Sequence, residues 1–442
     1  MLTQEQLQVA TLGPCRIASP LRGVKEVVFV DPAVRVRYHH KVSPEMPLAE
    51  RELSFEEAGA HEQIFFDPAS TTAAIVTCGG ISPGLNNVIR AIYSELTHNY
   101  GVPRVLGIRS GYRGLNPAEG QPPLVLTHDF VEEIHKLGGT VLGTSRGPQD
   151  PRCMVDFLER EQIDLLFCIG GDGTQRGAQA ISAELDRRGL AKSVVGIPKT
   201  IDNDIPFVWM TFGYQTSLEV AQEVLRGGHV EARSAENGIA IVKLMGRHTG
   251  FIAAGAAAAS DEANFVLVPE VDFPLEGPGG FLEALHRRML ARQHALVVVA
   301  EGAGQHRFDT RHANRDASGN LRLQDIGLLL RERIRAYFAD CGLPVQIKYI
   351  DPSYALRSVP ANTWDRILAN QMGRYAAHAA MAGRTDVLIG LRHNELIHVP
   401  LPLVNSHTRR LDIRSDLWKA VLSSTGQPRW PASGDTPSNN FQ

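Results

Sequence analysis

The sequence has few cysteines, no long apolar run and no excess of either charge. Its five cysteines are an odd number without Cys-x-x-Cys spacing, which argues against a disulfide framework and against a zinc site. No stretch reaches the roughly 18 consecutive apolar residues that a membrane-spanning helix needs. The 45 basic and 48 acidic residues nearly cancel, which excludes a polybasic arm for nucleic acid as the main function. We therefore expect neither a membrane nor a nucleic-acid partner.

The remaining composition is typical of a globular protein in a reducing compartment. Hydrophobic residues make up 43% of the 442 residues, enough for a sizeable core, and at roughly 150 residues per domain we expect two or three domains. Cys78 and Cys168 fall in apolar runs, where buried free thiols are expected. Because the first residues also lack the charged and apolar regions of a secretory signal, we expect a cytoplasmic protein.

Short apolar runs alternate with amphipathic helical patterns through most of the chain. The runs predicted to be β-strands are 73–78, 104–108, 140–144, 164–169, 193–198, 238–244, 264–268, 295–300 and 345–350. They are continuously apolar, as in parallel strands that are covered on both faces. This alternation predicts an α/β fold, and nine strands are too many for one comfortable sheet. We therefore predict two doubly wound, Rossmann-like domains that face each other across a cleft.

Three predicted strands end in glycine- or aspartate-rich segments, at 79–84, 170–174 and 198–204. In open α/β sheets, ligands bind beyond the carboxyl ends of the strands. The glycines of 79–84 would let backbone N–H groups approach an anion, although a tight structural turn is an equally good interpretation. This segment does not match a phosphate-binding P-loop.

The other two segments carry aspartates. In Gly-Gly-Asp-Gly-Thr (170–174), Asp172 is placed to hold Mg²⁺ on phosphate oxygens, and the glycines favour this over a simple helix cap. Asp202 and Asp204 are two residues apart in the same loop. One can face a substrate while the other supports the loop or a metal; a solvated turn is the alternative.

Seven motifs in order resemble the phosphofructokinase family. They are the 79–86 segment, GGDGT (170–174), PKTIDND (198–204), FGYQTSLEVA (212–221), KLMGRHTG (243–250), EGAGQ (301–305) and KYIDPSYALRS (348–358). The likeness covers about residues 55–395 and is greatest to the plant and trypanosomal ATP-dependent branch. It implies an allosteric enzyme of glycolysis, which transfers the ATP γ-phosphate to the 1-hydroxyl of fructose 6-phosphate.

The resemblance also implies roles for individual residues. Asp202 would accept the hydroxyl proton, late in the reaction because a carboxylate with a pKa near ~4 is a weak base. Thr200, Lys199 and Arg247 would assist as further catalytic residues, and Asp172 would be the Mg²⁺ ligand. The implied ATP-binding residues are Gly79, Tyr112, Arg113, Arg146, Gly147, Gly171, Asp172, Gly173 and Thr174. The implied fructose 6-phosphate-binding residues are Thr200, Ile201, Asp202, Met245, Gly246, Arg247, Glu301, Tyr354, Ala355, Leu356 and Arg357.

Two positions bear on the phosphoryl donor, which is ATP or pyrophosphate within this family. Gly173 leaves space for an α-phosphate and adds no negative charge, whereas pyrophosphate users typically carry an acidic residue there. Lys199 is typical of pyrophosphate users, but the plant and trypanosomal ATP enzymes combine it with the glycine. We therefore predict ATP. A pyrophosphate-dependent enzyme, a non-catalytic regulatory subunit and a kinase for NAD or lipid are the alternatives.

The resemblance also implies a domain plan and an assembly. Residues 69–212, with about 358–400, would bind the nucleotide, and 213–357 would bind the sugar phosphate. Residues 1–68 and 401–442 would be N-terminal and C-terminal extensions. Family members form homotetramers, often from dimers, so we expect a homotetramer or a homodimer. Gly238 replaces an arginine that reaches the neighbouring subunit's substrate in the small bacterial enzymes.

Overall fold

The computed structural model describes residues 2–24, 26–308 and 322–433. These residues form an α/β structure with two main sheets, one of nine strands and one of four. Two compact units contain them. The first unit takes the described residues within Met1–Thr200, Ile205–Gly213 and Ser358–Thr408, and the second takes those within Ile201–Asp204, Tyr214–Arg357 and Arg409–Gln442.

The strands of the described residues are numbered in chain order. They are β1 (Ala10–Thr11), β2 (Ile17–Ala18), β3 (Arg35–Arg37), β4 (Ser54–Glu57), β5 (Gln63–Ile64), β6 (Thr72–Thr77), β7 (Arg104–Ile108), β8 (Leu124–Val125), β9 (Leu165–Gly170), β10 (Ser193–Pro198), β11 (Gly238–Leu244), β12 (Phe265–Leu267), β13 (His294–Ala300), β14 (Gln346–Ile350), β15 (Arg384–Thr385), β16 (Val387–Arg392) and β17 (Glu395–Pro400).

The helices are numbered in the same way. They are α1 (Leu48–Arg51), α2 (Leu85–Ser94), α3 (His128–Val131), α4 (Pro151–Arg160), α5 (Asp172–Arg188), α6 (Tyr214–Ser234), α7 (Phe251–Ser260), α8 (Phe281–Arg292), α9 (Ile326–Asp340), α10 (Ala355–Ser358), α11 (Thr363–Met381), α12 (Leu401–Val404) and α13 (Asp416–Thr425). Short 3₁₀ helices lie at Glu5–Leu7, Pro20–Gly23, Pro68–Ser70, Gly111–Leu115, Ile134–Lys136 and Gln305–Arg307, and a π-helix extends α2 over Glu95–Tyr100.

The nine-stranded sheet belongs to the first unit and has the order β3-β4-β17-β16-β10-β9-β6-β7-β8. Its five central strands, from β16 to β7, are parallel, and the outer strands pair antiparallel. The chain leaves β6 for β7 on one side and later returns to β9 on the other, so the strand order reverses between β6 and β9. A reversal of this kind opens a crevice at the carboxyl ends of the two strands.

The predicted strands 73–78, 104–108, 164–169 and 193–198 are parallel neighbours in this sheet. Hairpin β16–β17 and strands β3, β4 and β8 lie outside the predicted strands and add antiparallel edges. The prediction of a strand at 140–144 is wrong. Gly143 has φ +68°, which breaks an extended backbone, and its carbonyl accepts a hydrogen bond from the Thr77 hydroxyl at 2.8 Å. Leu142 is nevertheless buried, so the apolar residues here indicated burial rather than a strand.

The four-stranded sheet belongs to the second unit and is parallel throughout, with the order β12-β13-β11-β14. Strands β11 and β13 are buried apart from one partly accessible residue each. Helices α8 and α9 supply large apolar side chains to one core cluster with this sheet, including Phe281 and Phe338. Strands covered by helices in this way need apolar residues at successive positions, which explains their continuously apolar sequence.

The contact boundaries of the two units differ from the predicted ranges at the C-terminus. Residues 409–433 belong to the second unit, while 401–408 stay with the first. Gln427 explains part of this attachment: its side chain accepts from the Val266 N–H at 2.6 Å and donates to the Val266 carbonyl at 3.2 Å. The amide thereby satisfies the open edge of β12 as a neighbouring strand would. Residues 434–442 of the predicted extension lie outside the described residues.

Residues 1–68 contribute to the main sheet of the first unit. Strand β4 pairs with β17, and β3 pairs with β4. Beneath this edge, the Glu56 carboxylate accepts from Arg384 Nε at 2.8 Å and contacts His398 Nδ1 at 3.1 Å. Burial alone would raise the pKa of Glu56, but the hydrogen bond with His398 and the charge of Arg384 outweigh it and lower the pKa to about 2.

The helices of the described residues include none with the length and apolar character that a membrane span needs.

Replacing Glu56 should weaken this edge of the sheet. Glu56→Gln is expected to lower the free energy of unfolding by about 3 kcal/mol at neutral pH, since it breaks a mostly buried ion pair. The folded-state pKa is depressed, so the stabilisation is present above the ordinary carboxylate pKa and is lost as the pH falls towards about 2. Urea unfolding at pH 7 and pH 3 measures both effects. Glu57→Gln, one residue along β4, is the control, and equal stability of the two variants would contradict the prediction.

Candidate active site

In the first unit, the segments 79–84 and 170–174 and the residues Lys199 and Thr200 follow the carboxyl ends of β6, β9 and β10. These strands are parallel neighbours, and Thr77 pairs with Ile169 while Gly170 pairs with Pro198. The Lys199 N–H donates to the Gly170 carbonyl at 3.1 Å, which extends the pairing beyond β10. Adjacent parallel strands thus bring together residues that lie more than a hundred positions apart in the sequence.

The 170–174 segment combines one crowded glycine with one open glycine. A Cβ on Gly170 would lie 2.0 Å from Thr174 Oγ1, so that position is closed by packing. A Cβ on Gly173 would have Arg176 Nη2 at 3.9 Å as its nearest contact, which leaves space for a ligand. Gly171 is the N-cap residue of α5 and Asp172 is its first helical residue. The helix-cap interpretation of Asp172 is therefore wrong, and its carboxylate lies at the positive end of a 17-residue helix.

The ammonium group of Lys199 lies against the turn at Gly79. Gly79 has φ +81°, a left-handed conformation that favours glycine, and a Cβ there would lie 3.6 Å from Lys199 Nζ. Lys199 is buried and its ammonium donates to the Gly80 carbonyl. The Gly79 N–H donates to the Ser145 carbonyl at 3.0 Å, so this amide supports the turn. At this turn, the Lys199 ammonium group is therefore better suited to bind an anion than the Gly79 N–H, which is already hydrogen-bonded.

The remaining predicted nucleotide residues divide into buried and exposed ones. Tyr112 is buried, and its hydroxyl donates to the Thr174 carbonyl at 2.6 Å, so it fixes the first turn of α5. Burial raises the pKa of Tyr112 well above its ordinary value. Arg113 and Arg146 are exposed, and Gly147 has φ +104°. Thr200, at the end of the next segment, accepts from the Thr211 hydroxyl at 2.7 Å through its carbonyl.

In the second unit, the predicted substrate residues follow β11, β13 and β14. Leu244 pairs with Ala300, so Met245–Arg247 and Glu301 leave adjacent strands at the same level. Gly246 has φ +123°, and its carbonyl accepts from the Gly302 N–H at 3.1 Å, which joins the two loops. The parallel sheet therefore brings the methionine-glycine-arginine motif next to the glutamate.

Asp202 lies among charged groups of this unit. Burial raises the pKa of its carboxyl group well above the ordinary value, and the negative charges of Asp204 and Glu301 raise it further. Arg357 and a backbone hydrogen bond from Arg247 act in the opposite direction. A carboxylate with a raised pKa is a stronger base, which suits removal of a proton from an alcohol.

Glu301 and Arg357 complete this cluster. Burial raises the pKa of Glu301, while the charge of Arg247 partly offsets that effect. The Arg357 guanidinium lies 5.4 Å from the centre of the Tyr354 ring, and this tyrosine is 77% exposed. In the same short helix, Ala355 is exposed and Leu356 is buried. Ile201, another of the predicted fructose 6-phosphate-binding residues, is also buried.

The comparisons with known proteins decide the family. A model described as Phosphofructokinase matches residues 72–380, about 70% of the chain by length. The chain belongs to the phosphofructokinase family. The predicted resemblance is thereby confirmed.

Individual family members match over almost the whole chain. An ATP-dependent 6-phosphofructokinase of Borreliella burgdorferi is 43% identical over 431 residues, covering 95% of this chain and 96% of that protein. One of Trypanosoma brucei brucei is 44% identical over 432 residues, covering 96% and 88%. A solved pyrophosphate-dependent phosphofructokinase of Marinobacter aquaeolei aligns with a TM-score of 0.66 at 19% identity, covering 83% of this chain and 94% of that one. That structural match shows a phosphofructokinase fold.

The phosphofructokinase activity implies a magnesium ion, and the residues fit one. Mg²⁺ usually keeps several waters and is held by one or two carboxylates together with substrate phosphates. Among the described residues, no group of three or more histidine, cysteine or acidic side chains could hold a metal by itself. Asp172, which is next to the open position Gly173, would supply one carboxylate to such a shared site.

Sequence reasoning missed two residues that support the site. In the first unit, Gln175 is fully buried, and its side-chain amide donates to the Gly170 carbonyl at 2.8 Å and to the Ile197 carbonyl at 3.3 Å. It therefore holds the ends of β9 and β10 together. This glutamine directly follows the GGDGT motif, and its burial in the structure identifies its role.

In the second unit, Lys243 holds two loops through their aspartates. Its ammonium lies 2.9 Å from Asp325, which caps α9, and 2.8 Å from Asp351, which follows β14. Burial would lower the pKa of Lys243, but the hydrogen bonds to the two carboxylates outweigh it and raise the pKa. Tyr349 also donates to Asp325, at 2.8 Å. Lys243 therefore anchors the start of the segment that carries Arg357.

Removing this ammonium group should leave two carboxylates facing each other. Lys243→Met is expected to lower the free energy of unfolding of the second unit by about 2 to 3 kcal/mol. Asp351→Asn in the same background should restore part of it, since one of the two opposed charges is gone. Urea unfolding followed by circular dichroism measures both. The exposed Lys348→Met on β14 is the control, and a Lys243 variant as stable as this control would refute the network.

Proposed function

We propose that this chain is an ATP-dependent 6-phosphofructokinase, which transfers the γ-phosphoryl group of ATP to the 1-hydroxyl of fructose 6-phosphate in glycolysis. The products are fructose 1,6-bisphosphate and ADP. The observation that carries the proposal is the 43% identity with an ATP-dependent 6-phosphofructokinase over 95% of the chain. The gathering of Asp202, Glu301, Arg247 and Arg357 in one unit supports it.

On the sugar-phosphate side, Asp202 accepts the proton of the 1-hydroxyl as that oxygen forms its bond to the γ-phosphorus. The bond from the γ-phosphorus to the bridging oxygen breaks, and ADP leaves with the electron pair. Arg247 and Arg357 offer planar guanidinium groups, which bind phosphate oxygens in a bidentate manner. Glu301 accepts hydrogen bonds from sugar hydroxyls, and Met245, Gly246, Thr200, Ile201 and Tyr354–Leu356 complete this side.

On the nucleotide side, residues of the first unit hold the phosphates. Lys199 and the N-terminus of α5 supply positive charge. Phosphoryl transfer depends mainly on positioning and on neutralising the negative charge of the phosphates, so this positive charge supports the reaction. Asp172 would hold Mg²⁺, which neutralises charge on the phosphate oxygens when bound. We propose that the nucleotide binds to the first unit and the sugar phosphate to the second.

The proton acceptor is tested by replacing each carboxylate of the 202–204 loop. Asp202→Asn is expected to lower kcat by about 10³-fold, the range of general base catalysis, with little change in the KM for ATP. A coupled assay with fructose 6-phosphate, ATP and Mg²⁺ measures both constants. Asp204→Asn is the comparison and should lose much less. Near-normal turnover of Asp202→Asn with an inactive Asp204→Asn would assign the base to the other carboxylate.

The donor is tested at Gly173. Since a Cβ there meets open space, Gly173→Asp should fold normally, but its charge would oppose the α-phosphate. We expect kcat/KM for ATP to fall by roughly 100-fold. The control is Gly227→Asp on the exposed face of α6, another glycine with open space. Wild-type activity with pyrophosphate alone would establish the alternative, a pyrophosphate-dependent enzyme.

Several further expectations remain proposals. A non-catalytic regulatory subunit would have no need for Asp172, Thr200, Asp202 and Arg247 together, so we favour the enzyme. A kinase for NAD or lipid shares the GGDGT motif but does not require the motifs at 245–247, 301–305 and 351–358. A homotetramer or homodimer and allosteric control follow from the family. The cytoplasm is our proposed location, although relatives of Arabidopsis thaliana include chloroplastic forms.

A further inference from the structure

The C-terminal segment of the second unit, 409–433, contacts the loop that carries Asp202. The backbone N–H of Arg409 donates to the Asp204 carbonyl at 2.8 Å. Its guanidinium Nη1 donates to the Asn203 carbonyl at 3.3 Å. Arg409 therefore binds the backbone of the two residues that follow Asp202 by two hydrogen bonds, one from its main chain and one from its side chain.

The side chain of Arg409 is itself fixed by stacking. Its guanidinium carbon lies 4.6 Å from the centre of the Phe251 ring, and that ring is buried at the start of α7. The Tyr214 hydroxyl donates to the Phe251 carbonyl at 3.1 Å. A guanidinium stacked on a held aromatic ring loses less freedom when it binds a carbonyl, so its direction is set in advance.

The same segment is tied to the loop that carries Arg247 through Glu270. This glutamate is fully buried and accepts from the Leu411 N–H at 2.9 Å and from the Gly250 N–H at 3.0 Å. Gly250 lies three residues after Arg247, whose backbone in turn hydrogen-bonds Asp202. The contacts form a closed circuit: Asp202 loop, Arg409, Leu411, Glu270, Gly250, Arg247 and back to Asp202.

The loop in this circuit turns at a left-handed residue. Asn203 has φ +54°, a conformation that asparagine adopts more readily than most residues other than glycine. It lies between the two aspartates, so a change in its backbone would reorient both carboxylates. Arg409 contacts the carbonyls of Asn203 and Asp204, which are the groups that would move.

We propose that Arg409 and Glu270 are positioning residues, which hold the Asp202 loop and the Arg247 loop at a fixed separation through the C-terminal segment. This inference rests on the proposed function. It predicts that loss of Arg409 impairs the chemical step and the binding of fructose 6-phosphate, while ATP binding stays intact. A purely structural contact would lower stability and leave the kinetic constants of the folded enzyme unchanged.

The test compares Arg409→Ala and Arg409→Lys with the wild type in the coupled assay. A misplacement of about 1 Å costs on the order of 100-fold in rate, so we expect kcat of Arg409→Ala to fall by about 100-fold. The KM for fructose 6-phosphate should rise, and the KM for ATP should stay within about twofold, because the proposed nucleotide residues lie on the other unit. Arg409→Lys should retain more activity than Arg409→Ala, since it keeps a cation near Phe251.

Two further measurements separate positioning from folding. Added guanidinium ion at low millimolar concentration should restore part of the kcat of Arg409→Ala and leave Arg414→Ala unchanged. Arg414 lies in the same segment, pairs with Asp412 at 3.3 Å and serves as the matched control. Glu270→Leu tests the other link, because it removes the carboxylate oxygens that accept from the Gly250 and Leu411 N–H groups; it should show the same pattern of constants.

The outcomes separate this inference from the proposed function. A wild type without phosphofructokinase activity would refute the proposed function. An active wild type with unchanged kcat and KM in folded Arg409→Ala would refute the positioning role alone. Equal losses of ATP affinity and fructose 6-phosphate affinity would also refute it, since they would indicate general damage.

Discussion

The hydrogen-bond register between neighbouring parallel strands is the constraint on which the site depends. Parallel strands all end at the same edge, so the residues that follow them meet whatever their distance in the sequence. In the first unit this places the 170–174 loop next to Lys199, and in the second it places Glu301 next to Gly246. A slip of one residue would exchange the side chains that the two covered faces of a strand receive and would shift the loop after it, so the core and the site enforce the same register.

Electrostatics is the second constraint, because the second unit concentrates opposed charges around one carboxylate. Burial and the neighbouring acids make the ionised form of Asp202 costly, and the cluster is tolerable because Arg357 and the Arg247 backbone face it. The same raised pKa that burdens folding gives the group its strength as a base. Sites that gather like charges in this way are expected to need rigid support from outside the cluster.

Much of the fold follows from sequence patterns, and its exceptions have physical causes. Strands β7, β10 and β11 have the predicted bounds because each is buried on both faces and reads as a continuous apolar run. The run 140–144 has the same composition, but a left-handed Gly143 and contacts with neighbouring loops keep it irregular. Strand β17 carries the buried His398, whose partner Glu56 lies 342 residues earlier, and no local pattern announces such a pair.

The residues of the site also fall into two groups, those that a local sequence pattern predicts and those that it does not. The residues proposed to face ligands sit in short motifs, because a strand end and the loop after it are one continuous piece of chain, and the motifs identified the family. Residues that hold those loops do not: Lys243, Glu270 and Arg409 act through partners that only the tertiary fold brings near. Glu270 and Arg409 appear in the sequence as ordinary charged residues, one of them in a predicted extension. Their position is what the chemistry requires, since a base that works within tenths of an ångström must be braced from several directions.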